Sequence, residues 1–473
     1  MDIRMPKRCL LLQVKLKYKN TIFISTFLTT WCIILDMENN EKNKMNKKEK
    51  FPWSYYLLFI TLSRLARFYF NGKAIQSKAF KEAKKKGPLL VMCNHSSALD
   101  FVFFVPPFGL KKMTFVVAEN MLYSTPFLAK VIKKANAITK KQYIADLSCI
   151  RKIKKNMDSG VSVALCPEGQ VASCGKTGII PSANGKLMKF LGYPVAVCRT
   201  HGSGLSRSKW GYVARRGKVI TECDILYTAE QTKELSAEEL YAGLVKALDF
   251  NEHKYQIENG IKFGGKRRAE GLERILYRCP KCHSKYTVTT SGDTIKCSAC
   301  GNEIKYAKTG ELIPTCDGVS PKRIDLWYDE ERKAVAEEVK KDDFILTEPV
   351  ALFIEKPEEY NYRFITTGIA TLDKEKITFK SNMDERPKKI ITEYGVGKFD
   401  VDFDYSEGTE AVEDEFKDLT FVVRNNESCA FNPGHSIELY DLKHSYRIMF
   451  TERTASTEFV LAIEELYKQR KGM

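Results

Sequence analysis

Leu89-Leu90-Val91-Met92-Cys93-Asn94-His95-Ser96-Ser97-Ala98-Leu99-Asp100 is the stretch from which the rest of the chain can be read. Leu89 to Met92 is an unbroken apolar run and predicts a buried strand. The polar residues that follow place His95 just past the strand end, with Asp100 five residues on. Loops held by a rigid scaffold are where reactive groups are presented. A neutral imidazole can take a proton from a hydroxyl near neutral pH. A neighbouring carboxylate can fix its tautomer and stabilise the imidazolium that forms. The competing reading is a capped turn, in which Asn94, Ser96 or Ser97 starts a helix and His95 is incidental.

A second stretch bears on that choice. Ser162-Val163-Ala164-Leu165-Cys166 is another short apolar strand, and it ends in Pro167-Glu168-Gly169-Gln170. Two ordered motifs, each following a strand, are more specific than either alone. With both in hand, the segment from about Phe51 to Gln256 resembles the glycerolipid acyltransferase family, which includes lysophosphatidate and glycerol-3-phosphate acyltransferases. Asn94, His95, Ser97 and Asp100 match its first block, Pro167, Glu168 and Gly169 its third, and Tyr193 to Val197 its fourth. The resemblance implies that His95 is a general base and Asp100 its orienting partner. It implies an acceptor site shaped by Asn94, Ser97, Glu168 and Gly169, with Lys140 where the second block usually carries arginine. It also implies acyl-CoA or acyl-ACP as donor and no catalytic metal.

The likeness breaks just after the third block. The family continues with threonine-arginine-serine, where this chain has Gln170-Val171-Ala172-Ser173. The family's arginine is thought to grip the acceptor's phosphate. Either another cation (Lys140, Lys176, Lys186 or Arg199) replaces it, or the acceptor lacks that phosphate. Cys93 and Cys166 read as small buried hydrophobes rather than nucleophiles.

Charge is unevenly placed along the 473 residues. The net +17 divides into +28 over residues 1–313 and −11 over 314–473, which predicts two bodies with different partners. A basic body suits an anionic surface, nucleic acid or acidic lipid. The fourteen cysteines are scattered, several within apolar runs, which suits a reducing cytosol better than a disulfide framework.

Four segments are expected. Residues 1–50 form a basic extension whose apolar run, Thr21 to Leu35, is short for a membrane span, followed by a lysine-rich linker. Residues 51–262 form the acyltransferase domain. It opens with an aromatic helix, Phe51 to Phe70, carrying Arg64 and Arg67, the composition of an interfacial helix. Within it, Met121 to Ala135 is read as helical, with Pro126 marking a turn or its first positions, and Ser236 to Lys254 as a helix begun by the capping box Ser236–Glu239. His201 is placed in a loop after the fourth block. Alternating helices and short apolar strands make this an α/β body.

Residues 263–313 form a connector and a zinc ribbon. Lys262 to Arg278 is basic, with Leu272, Ile275 and Leu276 at helical spacing, and reads as a packed or membrane-facing connector. Cys279-Pro-Lys-Cys282 and Cys297-Ser-Ala-Cys300 are two knuckles flanking a predicted hairpin, the pattern of a closed structural zinc site. Residues 314–473 form an acidic, mostly-β domain closed by a helix, Ser456 to Arg470. Its element order resembles a pleckstrin-homology-type barrel. Its acidity predicts a protein partner or a contact with the basic body.

The sequence therefore predicts an O-acyltransferase on the cytoplasmic face of a membrane, peripheral or anchored through its N-terminal region. The acceptor read first is 1-acyl-glycerol-3-phosphate, giving phosphatidic acid, with membrane lipid and the acyl donor as partners and nucleic acid disfavoured. Two alternatives stand beside it: another acceptor, such as glycerol-3-phosphate or an amino-acid lipid, and a non-catalytic zinc-ribbon scaffold or nucleic-acid-binding protein.

Overall fold

Leu90 to Cys93 is a central strand of a seven-stranded sheet. The computed structural model describes residues 52–123, 126–356, 361–383, 385–387, 409–441 and 443–472. The expected N-terminal extension, with its Thr21 to Leu35 run, lies outside the described residues. The first sheet holds β1 (Gly72–Gln76), β2 (Leu90–Cys93), β3 (Met113–Ala118), β4 (Ile138–Lys140), β5 (Ser162–Leu165), β6 (Val195–His201) and β7 (Val219–Tyr227). Its order is β1-β7-β6-β2-β5-β3-β4, parallel at every junction but β6/β7.

β2 and β5 are buried at every position, because sheet neighbours flank them and helices pack on the sheet. That is why both read as continuous apolar runs rather than alternating ones. Leu90, Met92, Val163 and Leu165 share a cluster with Ile153 and Met157 of the helix Leu147–Asp158. Leu240, Leu244 and Leu248 of the helix Ala237–Leu248 complete it. Each fully buried leucine contributes about 1.5–3 kcal/mol.

In the stretch Met121 to Ala135, Pro126 opens the helix, Pro126–Lys134, as expected, and a 3-10 turn, Glu119–Tyr123, precedes it. Other predicted elements shift. The capping box at Ser236 and Glu239 forms, but its helix ends at Leu248. A second helix, Glu252–Glu258, starts afresh on the side chain of Asn251, which accepts from the Lys254 N–H. His201 is the last residue of β6, not a loop residue.

The connector Lys262 to Arg278 is not a helix. It holds one 3-10 turn, Leu272–Arg274, yet Leu272, Ile275 and Leu276 are fully buried. Gly271 explains the break. It adopts φ +99°, and a Cβ there would stand 2.1 Å from the Trp210 carbonyl oxygen. The apolar spacing reflects burial against the neighbouring bodies, not a helical stripe.

The ribbon is a four-stranded antiparallel sheet, order β11-β10-β9-β8. It is built from β8 (Val288–Ser291), β9 (Thr294–Cys297), β10 (Glu303–Tyr306) and β11 (Leu312–Pro314). The predicted hairpin is β8/β9, turning at Gly292 with φ +61°.

The last sheet is antiparallel and also seven-stranded. Its strands are β12 (Leu346–Lys356), β13 (Asn361–Leu372), β14 (Lys376–Ser381), β17 (Asp418–Val422), β18 (Ala430–Asn432), β19 (Ser436–Tyr440) and β20 (Ser445–Phe450). β15 (Glu385–Pro387) and β16 (Thr409–Ala411) pair separately. The order β17-β14-β13-β12-β20-β19-β18 joins two meanders through their first and last strands into a half-barrel. The helix Ala455–Lys471 follows and buries Phe459, Ile463 and Leu466. Connector, ribbon and half-barrel do not pack as separate bodies. Leu276, Ile295, Ile304, Trp327, Leu352 and Phe459 belong to one hydrophobic cluster.

Among the described residues, no helix is long and apolar enough to cross a membrane. The predicted aromatic helix runs Trp53–Tyr69.

Candidate active site and metal centre

Parallel pairing of β2 with β5 brings two distant motifs together. Leu90 faces Val163, and Met92 faces Leu165, so both strands deliver their following loops at the same carboxyl edge. This is where open α/β sheets place their sites. After β2, His95 Nδ1 lies 2.9 Å from Asp100 Oδ2. Asp100 is 2% exposed, and the same oxygen accepts the Ser97 N–H at 3.0 Å. Its other oxygen accepts a short hydrogen bond from the Ser203 hydroxyl. A carboxylate only accepts, so His95 Nδ1 carries the proton and Nε2 is left as the base.

Glu168 lies under this dyad. One oxygen accepts the His95 N–H at 2.9 Å, and the other accepts the Gly178 N–H at 2.8 Å. Burial pushes its carboxyl up to about 7, opposed by those two N–H groups. Gly169 takes the turn at φ +75°, and the Ala172 N–H returns to the His95 carbonyl at 2.6 Å. The loop 167–172 is therefore pinned to His95 at both ends.

The remaining predicted site residues fall into place around it. Asn94 is buried, and its amide bridges to β6, accepting from the Thr200 N–H at 2.8 Å and donating to the Thr200 carbonyl at 3.0 Å. Ser97 donates to the Arg207 carbonyl at 2.8 Å. Both side chains are engaged with the protein and hold the His95 turn. Lys140 stands apart, on the edge strand β4. Its ammonium donates to the Lys141 and Ile144 carbonyls at 2.9 and 3.1 Å. His201 is stacked on Tyr255, 4.2 Å between centroids, and lies 3.6 Å from Glu222, outside the dyad's hydrogen bonds. Burial raises the Cys93 thiol to about 11 and the Cys166 thiol well above its usual range, so neither is a thiolate nucleophile.

Three residues that sequence reasoning did not single out complete the site. Ser203 buttresses Asp100. Glu252, fully buried, accepts the Gly202 and Gly204 N–H groups and so fixes the turn that carries Ser203. Gln142 donates to the Gly169 carbonyl and accepts from Asn120 at 3.1 Å. Asn120 in turn donates to Glu438 of β19 at 2.6 Å. The glycines flanking Ser203 were the one available signal. The acidic half-barrel thus packs against the basic body at the active-site loop, the contact its charge had made one of two expectations.

Residues 74–197 match the Acyltransferase family, a span that contains both motifs. The chain carries an acyltransferase domain. Among solved structures it is similar to the 1-acyl-sn-glycerophosphate acyltransferase PlsC from Thermotoga maritima. That likeness has 16% identity and a TM-score of 0.38, over 48% of this chain and 90% of that one. No curated protein matches the chain.

Beyond the acyltransferase domain lie the four cysteines. Their sulfurs lie within 4.8 Å of one another, with Cys279 to Cys300 at 3.7 Å and Cys282 to Cys297 at 3.8 Å. A tetrahedron with zinc–sulfur bonds of about 2.3 Å has sulfur–sulfur edges of about 3.8 Å. The donor set fits zinc, and four thiolates would leave no position for a substrate.

Proposed function

We propose that this acyltransferase domain moves a fatty acyl group from acyl-CoA or acyl-ACP to the hydroxyl of 1-acyl-glycerol-3-phosphate, giving phosphatidic acid. The observation that carries the reading is the His95–Asp100 pair at 2.9 Å, held over Glu168 at the edge of a domain of acyltransferase sequence. His95 Nε2 takes the proton of the acceptor hydroxyl as its oxygen attacks the thioester carbonyl. Asp100 holds the ring and stabilises the imidazolium. When the tetrahedral intermediate collapses, the carbon–sulfur bond breaks and the leaving thiolate takes the proton back from His95. A carboxylic ester and a free thiol result, with no covalent enzyme intermediate. Zinc held by Cys279, Cys282, Cys297 and Cys300 has a structural role, tying the two knuckles of the ribbon.

The reaction needs lipid access, and the helix Trp53–Tyr69 supports it. Trp53, Leu57, Leu65 and Phe68 are exposed, Phe68 to 86%, at roughly helical spacing beside Arg64. Apolar and aromatic residues flanked by cations suit the headgroup boundary of a bilayer. We place the protein on the cytoplasmic face of a membrane, peripherally or through its N-terminal region. The strand order of the half-barrel followed by a helix supports the pleckstrin-homology-type reading of the last domain, used here for packing against the active-site loop.

The test is transfer by the full chain in lipid micelles. Labelled acyl-CoA and acyl-ACP are offered with 1-acyl-glycerol-3-phosphate, glycerol-3-phosphate and a phosphate-free lysolipid. Transfer to the first acceptor, lost in His95→Ala, is expected. Transfer undiminished in His95→Ala would remove His95 as the base, and no transfer to any acceptor would turn the reading toward a scaffold.

A further inference from the structure

The site has one open requirement, a cation for the acceptor's phosphate, since Val171, next to Gln170, stands where an arginine was expected. The cations expected to replace it are otherwise employed or remote. Lys176 pairs with Asp329 at 2.9 Å and Arg199 with Glu222 at 3.4 Å. Lys140 is committed to two carbonyls, and Lys186 is exposed on the helix Ala183–Leu191.

Lys209 is different. It lies beyond β6, three residues after the turn Ser203–Ser206, and its ammonium donates to Gln170 Oε1 at 3.2 Å. The Gln170 amide nitrogen reaches Ser428 of the half-barrel at 3.4 Å, and the Lys209 ammonium sits 4.1 Å from the ring centre of Phe431. Among the described residues no carboxylate lies within ion-pair distance of it. The nearby Glu464 is occupied by Arg332 at 2.7 Å and by the Ser428 hydroxyl at 2.7 Å. A half-buried cation held by an amide and an aromatic ring is under-neutralised and gains from an incoming anion. Burial already lowers its ammonium to about 7, with Glu464, Cys429 and Glu168 opposing. It is also close to the chemistry. Gln170 belongs to the loop whose Glu168 and Ala172 both bond the His95 backbone.

We propose that Lys209, steered by Gln170 and walled by Ser428 and Phe431, is the specificity-determining cation that binds the phosphate monoester of the acceptor at His95. The inference rests on the proposed reaction and deepens it. The half-barrel becomes part of the acceptor site, and a lysine point charge replaces the arginine fork.

The test compares wild type, Lys209→Gln and Lys209→Arg as full chains. Acceptors are 1-acyl-glycerol-3-phosphate and phosphate-free monoacylglycerol, with KM for acyl-CoA measured in parallel. Lys209→Gln is expected to raise KM for the phosphate-bearing acceptor about tenfold or more, with kcat nearly kept. KM for monoacylglycerol and acyl-CoA should move less than twofold, and Lys209→Arg should recover most of the loss. Equal losses on both acceptors would make Lys209 a packing residue and overturn the proposal. A rise for acyl-CoA alone would assign the cation to the donor's phosphates and overturn it too. Calorimetric titration with sn-glycerol 3-phosphate reads the site without turnover. Binding weakened about tenfold in Lys209→Gln supports the proposal even if the reaction assignment fails. Equal binding by wild type and variant overturns it whatever the transfer assay shows.

Discussion

The backbone N–H of His95 donates to Glu168 Oε1 at 2.9 Å, across 73 positions of sequence. The bond makes the Pro-Glu-Gly motif the floor on which the catalytic turn rests. Its carboxylate has no oxygen to spare, since Oε2 takes the Gly178 N–H.

Glu168→Gln is therefore not conservative. An amide would set its NH2 against one of two N–H donors. A buried unsatisfied pair costs about 1–3 kcal/mol. Displacement of His95 would lower kcat roughly ten- to hundredfold. Thermal melts and initial rates check both, and a variant with wild-type kcat would show that Glu168 does not set the His95 position.

Ser203→Ala removes the hydrogen bond to the second oxygen of Asp100. The expected result is a loss of about 1 kcal/mol of stability and of roughly tenfold in kcat, with KM for the acceptor kept. Ser203→Thr should restore part of it if the hydroxyl, rather than the volume, is what Asp100 needs.

Glu252 sets a pH dependence of stability. Burial raises its carboxyl from 4.5 to about 8, against the opposing Gly202 and Gly204 N–H groups. The folded state then holds a proton that the unfolded state releases, so stability falls as pH rises from about 4.5 toward about 8. Glu168, raised to about 7, acts in the same direction. Glu252→Gln should flatten the fall of Tm between pH 5 and 8. Parallel curves for wild type and variant would show that the Glu252 carboxyl does not carry this dependence.

Zinc removal should be felt beyond the ribbon. Lys285 and Tyr286, just after the first knuckle, both bond Glu458 of the C-terminal helix, and the ribbon shares its core with the half-barrel. One zinc per chain by elemental analysis and a Tm drop of at least about 5 °C on chelation or in Cys297→Ser are expected. A fully reduced, metal-free protein with unchanged Tm would show that the knuckles hold without metal.

Sequence alone determined the local chemistry. β2 and β5 were legible because strands buried on both faces must be continuously apolar, and the zinc knuckles because tetrahedral ligation dictates their spacing. The His95 turn was legible because reactive side chains follow such strands. The connector was legible as a packed segment but not in its backbone form. Leu272, Ile275 and Leu276 have helical spacing but are buried by bodies far away in sequence, and Gly271 at φ +99° breaks the backbone.

Only the tertiary structure decided which distant groups meet. Strand order β6-β2-β5 placed Glu168 beneath His95, and the turn after β6 placed Ser203 against Asp100. Packing of the acidic half-barrel on the basic body put Ser428 and Phe431 beside Gln170 and Lys209. Pairings of this kind depend on sheet order and on the shape of two packed surfaces. Neither is encoded in the spacing of residues along one element.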